Sequence, residues 1–164
     1  MFNRVPGTLF DLIRLRGGPQ DLPAGWLLTA ITLVLVLIPG LISSRILDEP
    51  DGLPRSLVAI GIQALVAGLL LQFRGMGARI PQTLSALCGT GFMFGLMIVV
   101  LLLGLKPEGP SLMQVLIYWT VFFWSLTVDA SIYRHALSIR IQTGALVAVL
   151  VFAGNFILLR ALFG

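Results

Sequence analysis

Five long apolar runs take up nearly all of this chain: Trp26 to Ile42, Leu57 to Phe73, Leu84 to Leu105, Leu112 to Val128 and Gly144 to Phe163. Each approaches or exceeds the roughly 20 residues that an α-helix needs to span a hydrocarbon core. The expected fold is therefore all-α: a polytopic membrane helix bundle with five transmembrane helices and a short N-terminal interfacial helix. Composition agrees, because 57% of the residues are hydrophobic and only 11% charged, too little polar surface to cover a water-soluble domain. Short connections leave no room for a separate soluble domain. Residues 1–23 read as an interfacial segment and 24–164 as one transmembrane domain, so any activity must lie within the bundle or at its rims.

The formal charge of +4 does not point to nucleic acid, since the basic residues are scattered through loops beside apolar spans. Orientation and lipid headgroups account for them better. Arg4, Arg14 and Arg16 precede the first span, Arg74 and Arg79 join spans two and three, and Arg134 and Arg140 join four and five. The opposite side holds only Arg45, Arg55, Lys106 and Arg160, together with Asp48, Glu49, Asp51 and Glu108. The positive-inside rule then places the N-terminus in the cytoplasm and, after five spans, the C-terminus outside. In a bacterial inner membrane that is the periplasm. The first run is too long, and starts too far into the chain, for a cleaved signal; no small-x-small site follows Ile42.

Local signals differ from span to span. Thr8 to Arg16 sets Leu9, Leu12 and Ile13 on one helical face, with Asp11 and Arg14 on the other, as an interfacial helix requires. Gly17-Gly18-Pro19 then breaks it, and Trp26 marks an interface anchor. Pro39 and Gly40 should bend span one or open a gap in it. Gly61, Ala64 and Gly68 in span two, and Gly89, Gly91 and Gly95 in span three, invite close helix approach, expected within the bundle rather than between copies. Span four crowds Tyr118, Trp119, Phe122, Phe123 and Trp124 into two turns, which suits lipid contact and bundle filling. The acidic loop from Ser43 to Pro54 lacks the glycine and distal glutamate of a calcium loop.

Polar groups inside hydrocarbon are costly, so they carry most of the functional information. Gln63 and Asn155 are expected to bond to neighbouring helices, and Thr90 completes the short list of uncharged polar candidates. Asp129 is the only acid inside a predicted span. A buried ion pair is its simplest role, with Arg74 or Arg79 arriving from the neighbouring loop; Tyr133, Arg134 and His135 follow on the same helical extension. A proton relay between Asp129 and His135 is the sharper alternative. The lone histidine has no metal-ligand companions at suitable spacing, and there is no nucleophile elbow or phosphate loop. Cys88, the single cysteine, rules out an intramolecular disulfide. No catalytic set, cofactor site or metal site is expected.

The segments Arg16-Gly17-Gly18-Pro19-Gln20-Asp21-Leu22-Pro23, Gln82-Thr83-Leu84-Ser85-Ala86-Leu87-Cys88-Gly89-Thr90 and Ile132-Tyr133-Arg134-His135-Ala136-Leu137 resemble those of small proteobacterial inner-membrane proteins of unassigned function. The five-span layout behind a cytoplasmic N-terminus is also similar to the Yip1 family. That resemblance implies membrane organisation and trafficking partners, and assigns no functional residue. The expected function is a non-enzymatic membrane scaffold or accessory protein whose partners are membrane lipids, other membrane proteins or a second copy. The competing expectation is a small oligomeric transporter or channel with Asp129, Gln63, Thr90 and Asn155 along a polar path. The cytoplasmic rim around Arg74, Arg79, Asp129 and His135 is the expected address of function.

Overall fold

The computed structural model describes residues 4–105 and 109–164. Lys106 and Glu108, assigned above to the outer side, lie outside the described residues. The described residues form six α-helices and no extended strand: α1 (Val5–Ile13), α2 (Trp26–Ile46), α3 (Gly52–Phe73), α4 (Ile80–Leu103), α5 (Leu112–Leu137) and α6 (Ile141–Phe163). The last five are long and apolar enough to cross a membrane, as a multi-pass membrane protein requires. Their neighbours form a ring: α2 packs on α3, α3 on α6, α6 on α5, α5 on α4, and α4 on α2, the most extensive pair.

The helices overrun the apolar runs because hydropathy and helix signals end at different places. Pro54 fits the first turn of α3, where its missing N–H is harmless, so the helix starts at Gly52 and not at Leu57. α4 starts at Ile80, with Pro81 in the equivalent place. Ser111 and Gln114 form a reciprocal capping box at the start of α5, with Gln114 N donating to Ser111 Oγ at 3.3 Å and Ser111 N to Gln114 Oε1 at 2.8 Å. Nothing polar between Asp129 and Leu137 breaks α5, so it continues until Ser138 turns left-handed at φ 53°.

The interfacial helix is present, shifted three residues towards the N-terminus, and its apolar face meets protein. Leu12 and Ile13 are each 2% exposed and belong to the core. Leu9 lies against Gly89 of α4, roughly 13 Å along that helix from its first turn. Trp124 of α5 donates its indole N–H to the Ile13 carbonyl at 3.0 Å, satisfying one of the orphan acceptors at the end of α1. Asp21 accepts from Gly18 N at 2.8 Å and so closes the Gly17-Gly18-Pro19 break into a defined elbow.

Small residues distribute unequally between the two spans that carry them. A side chain at Gly91 would meet Val36, and one at Gly95 would lie 2.7 Å from Pro39 Cγ, so the α4 glycines seat α2. Pro39 does not end α2, which runs on to Ile46; its buried ring fills the space that Gly95 leaves. Thr29 of α2 adds hydrogen bonds of 3.0 Å to the Pro81 carbonyl and to Ser85 Oγ of α4. In span two the expectation fails: nothing lies within 4 Å of a side chain built at Gly61 or Gly68, and only Ala64 packs against the core. Gly61 is exposed and Gly68 half-buried, both beside open space, while Ala67 and Leu71 are buried in the core.

These contacts separate the glycines by experiment. Gly95→Ala is expected to destabilise the folded bundle by about 1–3 kcal/mol through overpacking against a rigid ring. Gly68→Ala should leave stability unchanged or slightly raised, as alanine is the better helix former. Reversible unfolding in mixed detergent micelles reads both, and equal effects at the two positions would contradict the α2–α4 seam.

Candidate functional site

Arg74 and Arg79 occupy the turn between α3 and α4, beside the C-terminus of α5. Arg79 Nη1 donates to the Ala136 carbonyl and to Ser138 Oγ, both at 3.1 Å, and Arg74 Nη2 donates to the Leu137 carbonyl at 3.3 Å. The last carbonyls of a helix lack intrahelical donors and carry its negative dipole end, so two guanidinium groups satisfy both needs at once. The expected ion pair is therefore absent: neither arginine bonds to Asp129. Among the described residues the one salt bridge is Arg55–Glu49, at 3.5 Å, at the other end of the bundle. Arg55 also donates to the Phe163 carbonyl at 3.1 Å, repeating the same device at the end of α6.

Asp129 sits half-buried on the inward side of α5 with no side-chain hydrogen bond or salt bridge to any described residue. Its electrostatic neighbours are Cys88 of α4 and Tyr133, one turn on along α5. The Tyr133 hydroxyl is buried and has no hydrogen-bond partner among the described residues. No hydrogen bond or salt bridge joins His135 to Asp129 among the described residues; the His135 Nδ1 lies 2.8 Å from the Ser131 carbonyl, which can only accept, so that nitrogen carries the proton.

The uncharged polar candidates do not converge. Thr90 is fully buried and returns its hydroxyl to the Ala86 carbonyl of its own helix at 2.8 Å. Asn155 bridges α6 to the Ala59 carbonyl of α3 at 3.3 Å, as expected, while its Oδ1 has no partner among the described residues. Gln63 is half-buried and makes no side-chain hydrogen bond to a described residue, contrary to expectation. The apolar clefts between α3 and α6 and between α4 and α5 are lined by other residues. Sequence reasoning missed the Thr29–Ser85 contact, the Trp124–Ile13 tie and Gln82, which donates to the Leu22 carbonyl at 2.8 Å. Each joins residues far apart in the chain, and no local pattern announces such a partner.

The groups that do converge are basic. A cleft of ≈ 400 Å³ is lined by Gln20, Arg79, Arg134, His135, Ser138 and Ile139. It adjoins a more open one of ≈ 700 Å³ lined by Arg134, Ser138, Ile139, Arg140, Ile141 and Gln142. Together they wrap the three-residue elbow between α5 and α6. Gly144 holds this elbow tight, because a side chain there would lie 2.5 Å from the Ala130 carbonyl and 3.2 Å from Arg134. Among the described residues no group of three His, Cys, Asp or Glu could hold a metal ion. The elbow can attract anions; His135 and Ser138 share the first cleft without a hydrogen bond between them, since Ser138 Oγ accepts from Arg79 and His135 Nδ1 meets the Ser131 carbonyl.

Two substitutions test this arrangement. Arg79→Ala should cost about 1–2 kcal/mol of stability by freeing two acceptors at the end of α5. Asp129→Asn breaks no hydrogen bond or salt bridge to a described residue, so the unfolding midpoint in detergent should stay level or rise. A clear fall would reveal a counter-charge on Asp129.

No protein-family model, curated protein or solved structure matches this chain.

Proposed function

We propose that this protein is a non-enzymatic accessory or scaffold protein of the bacterial inner membrane, binding lipids and membrane-protein partners from a cytoplasmic, arginine-rich end. The observation that carries the reading is the elbow between α5 and α6, where Arg79, Arg134 and Arg140 line adjoining clefts without an acidic side chain. Such a surface at the end of two apolar helices suits the anionic headgroups of the inner leaflet. The dispersal of Gln63, Thr90 and Asn155 supports the same reading, since a conducting path needs its polar groups in one file.

A transporter or channel, functional as an oligomer, is the second reading, and one observation favours it. Asp129 has no cationic partner among the described residues, and the Tyr133 hydroxyl beside it is unsatisfied. An intramembrane acid in that state is the usual mark of a proton or ion route.

Proteoliposomes separate the two. Under the scaffold reading, a pH or sodium gradient imposed on vesicles holding the protein decays as in empty vesicles. Flux abolished by Asp129→Asn would transfer the assignment to transport. Orientation is tested by impermeant thiol labelling of a Gly164→Cys variant in spheroplasts. Labelling from the periplasmic face is expected, and protection there would invert the bundle.

A further inference from the structure

The elbow between α5 and α6 has the composition of a specific headgroup site, and this inference rests on the lipid-binding reading above. We propose that it binds the phosphate of an anionic phospholipid, held between the Arg134 and Arg140 guanidinium groups at the mouth of the groove. Both side chains are exposed, and neither makes a hydrogen bond or salt bridge to a described residue. Arg79 differs: it is spent on the Ala136 carbonyl and Ser138, so its role is to neutralise the negative end of α5 rather than to take the ligand. The cationic field of the groove is thereby left unopposed.

Two further features fit a lipid better than a soluble anion. The elbow joins two spans, which sets it at headgroup depth. Ile139 and Ile141 line the groove beside the arginines, giving the glycerol and first acyl carbons an apolar wall. Gly144 fixes the separation of the two arms, since the first turn of α6 lies directly on the Ala130–Arg134 backbone. The start of α6 contributes as well, because Arg140 at its N-cap has no side-chain cap bond and the first N–H groups point out of the helix.

Native mass spectrometry of the full chain in a neutral detergent tests the site, with phosphatidylglycerol, phosphatidylcholine and inorganic phosphate as probes. Phosphatidylglycerol should be retained, phosphatidylcholine should not, and millimolar phosphate should fail to displace the lipid. An Arg134→Gln/Arg140→Gln variant should bind phosphatidylglycerol about tenfold or more weakly, while Arg45→Gln/Arg160→Gln at the opposite end should bind it as wild type does. Both double variants alter exposed side chains; should the first misfold by circular dichroism, Arg134→Gln alone is expected to weaken binding severalfold. Unchanged retention in a folded elbow variant, or equal retention of the two lipids, overturns the site. Displacement by phosphate would make it a free-anion site and overturn the lipid assignment. Gradient dissipation by proteoliposomes of the elbow variant would sink the scaffold reading and leave the lipid result standing, so the two failures are distinguishable.

Discussion

An apolar side chain gains little by leaving lipid for the surface of another helix, so association of the five long helices rests on close backbone approach and on polar groups satisfied between them. The α2–α4 seam supplies both. Gly91 and Gly95 admit Val36 and Pro39, while Thr29 bonds to Ser85 and to the Pro81 carbonyl. The Pro81 carbonyl lies in the first turn of α4, where its second lone pair can take the Thr29 hydroxyl from the adjoining helix. With α2 fixed against α4, the groove between α4 and α5 is set for α1, whose Leu9 enters at Gly89 and whose last turn is held by Trp124.

The outcome is a bundle whose core lies towards one end. Buried residues run from Thr83 to Thr90 on α4 and from Ala130 to Tyr133 on α5, joined by Leu12 and Ile13 from α1 and Leu22 from the following elbow. Towards the other end α5 exposes Leu112, Met113 and Leu116, and α6 exposes Phe156, Ile157 and Leu162. Those side chains are content in hydrocarbon and would be intolerable in water. The aromatic residues of α5 follow the same division: Trp124 packs edge-on against Phe94 and Phe122 against Phe152, while Trp119 and Phe123 stack on one another facing outward.

The five spans were legible because hydrocarbon solvation acts on each residue independently and leaves a sum that a window can detect. The N-terminal helix was legible for the same kind of reason, since Leu9, Leu12 and Ile13 recur at helical spacing. Partner choice was not. Gly61 and Gly68 carry the same small-residue signal as Gly91 and Gly95, yet only the second pair faces a helix, because which side of a span turns inward depends on every other helix. Asp129 shows the same limit. Arg74 and Arg79 arrive at the expected rim, but the open carbonyls at the end of α5 lie nearer and claim them. Pairing by charge alone overlooks the backbone as a competing acceptor.

That competition also explains why the arginines around the end of α5 divide into two kinds. A guanidinium consumed by a helix terminus adds rigidity and cancels a dipole, and it has little left to offer a ligand. Arg74 and Arg79 are of this kind, as is Arg55 at the far end. Arg134 is different because it lies on the outward side of α5, one turn before the terminus, where its own helix already satisfies the backbone. Arg140 is different because it precedes α6, whose positive end repels a cation and offers it no acceptor. The free guanidinium groups of Arg134 and Arg140 are thus consequences of where the helices stop. Ser138, by adopting a left-handed conformation, ends α5 and sets both arms around the same groove. A chain that continued α5 by one more turn would move Arg140 off this groove, so the left-handed residue shapes the proposed anion site as much as the arginines themselves.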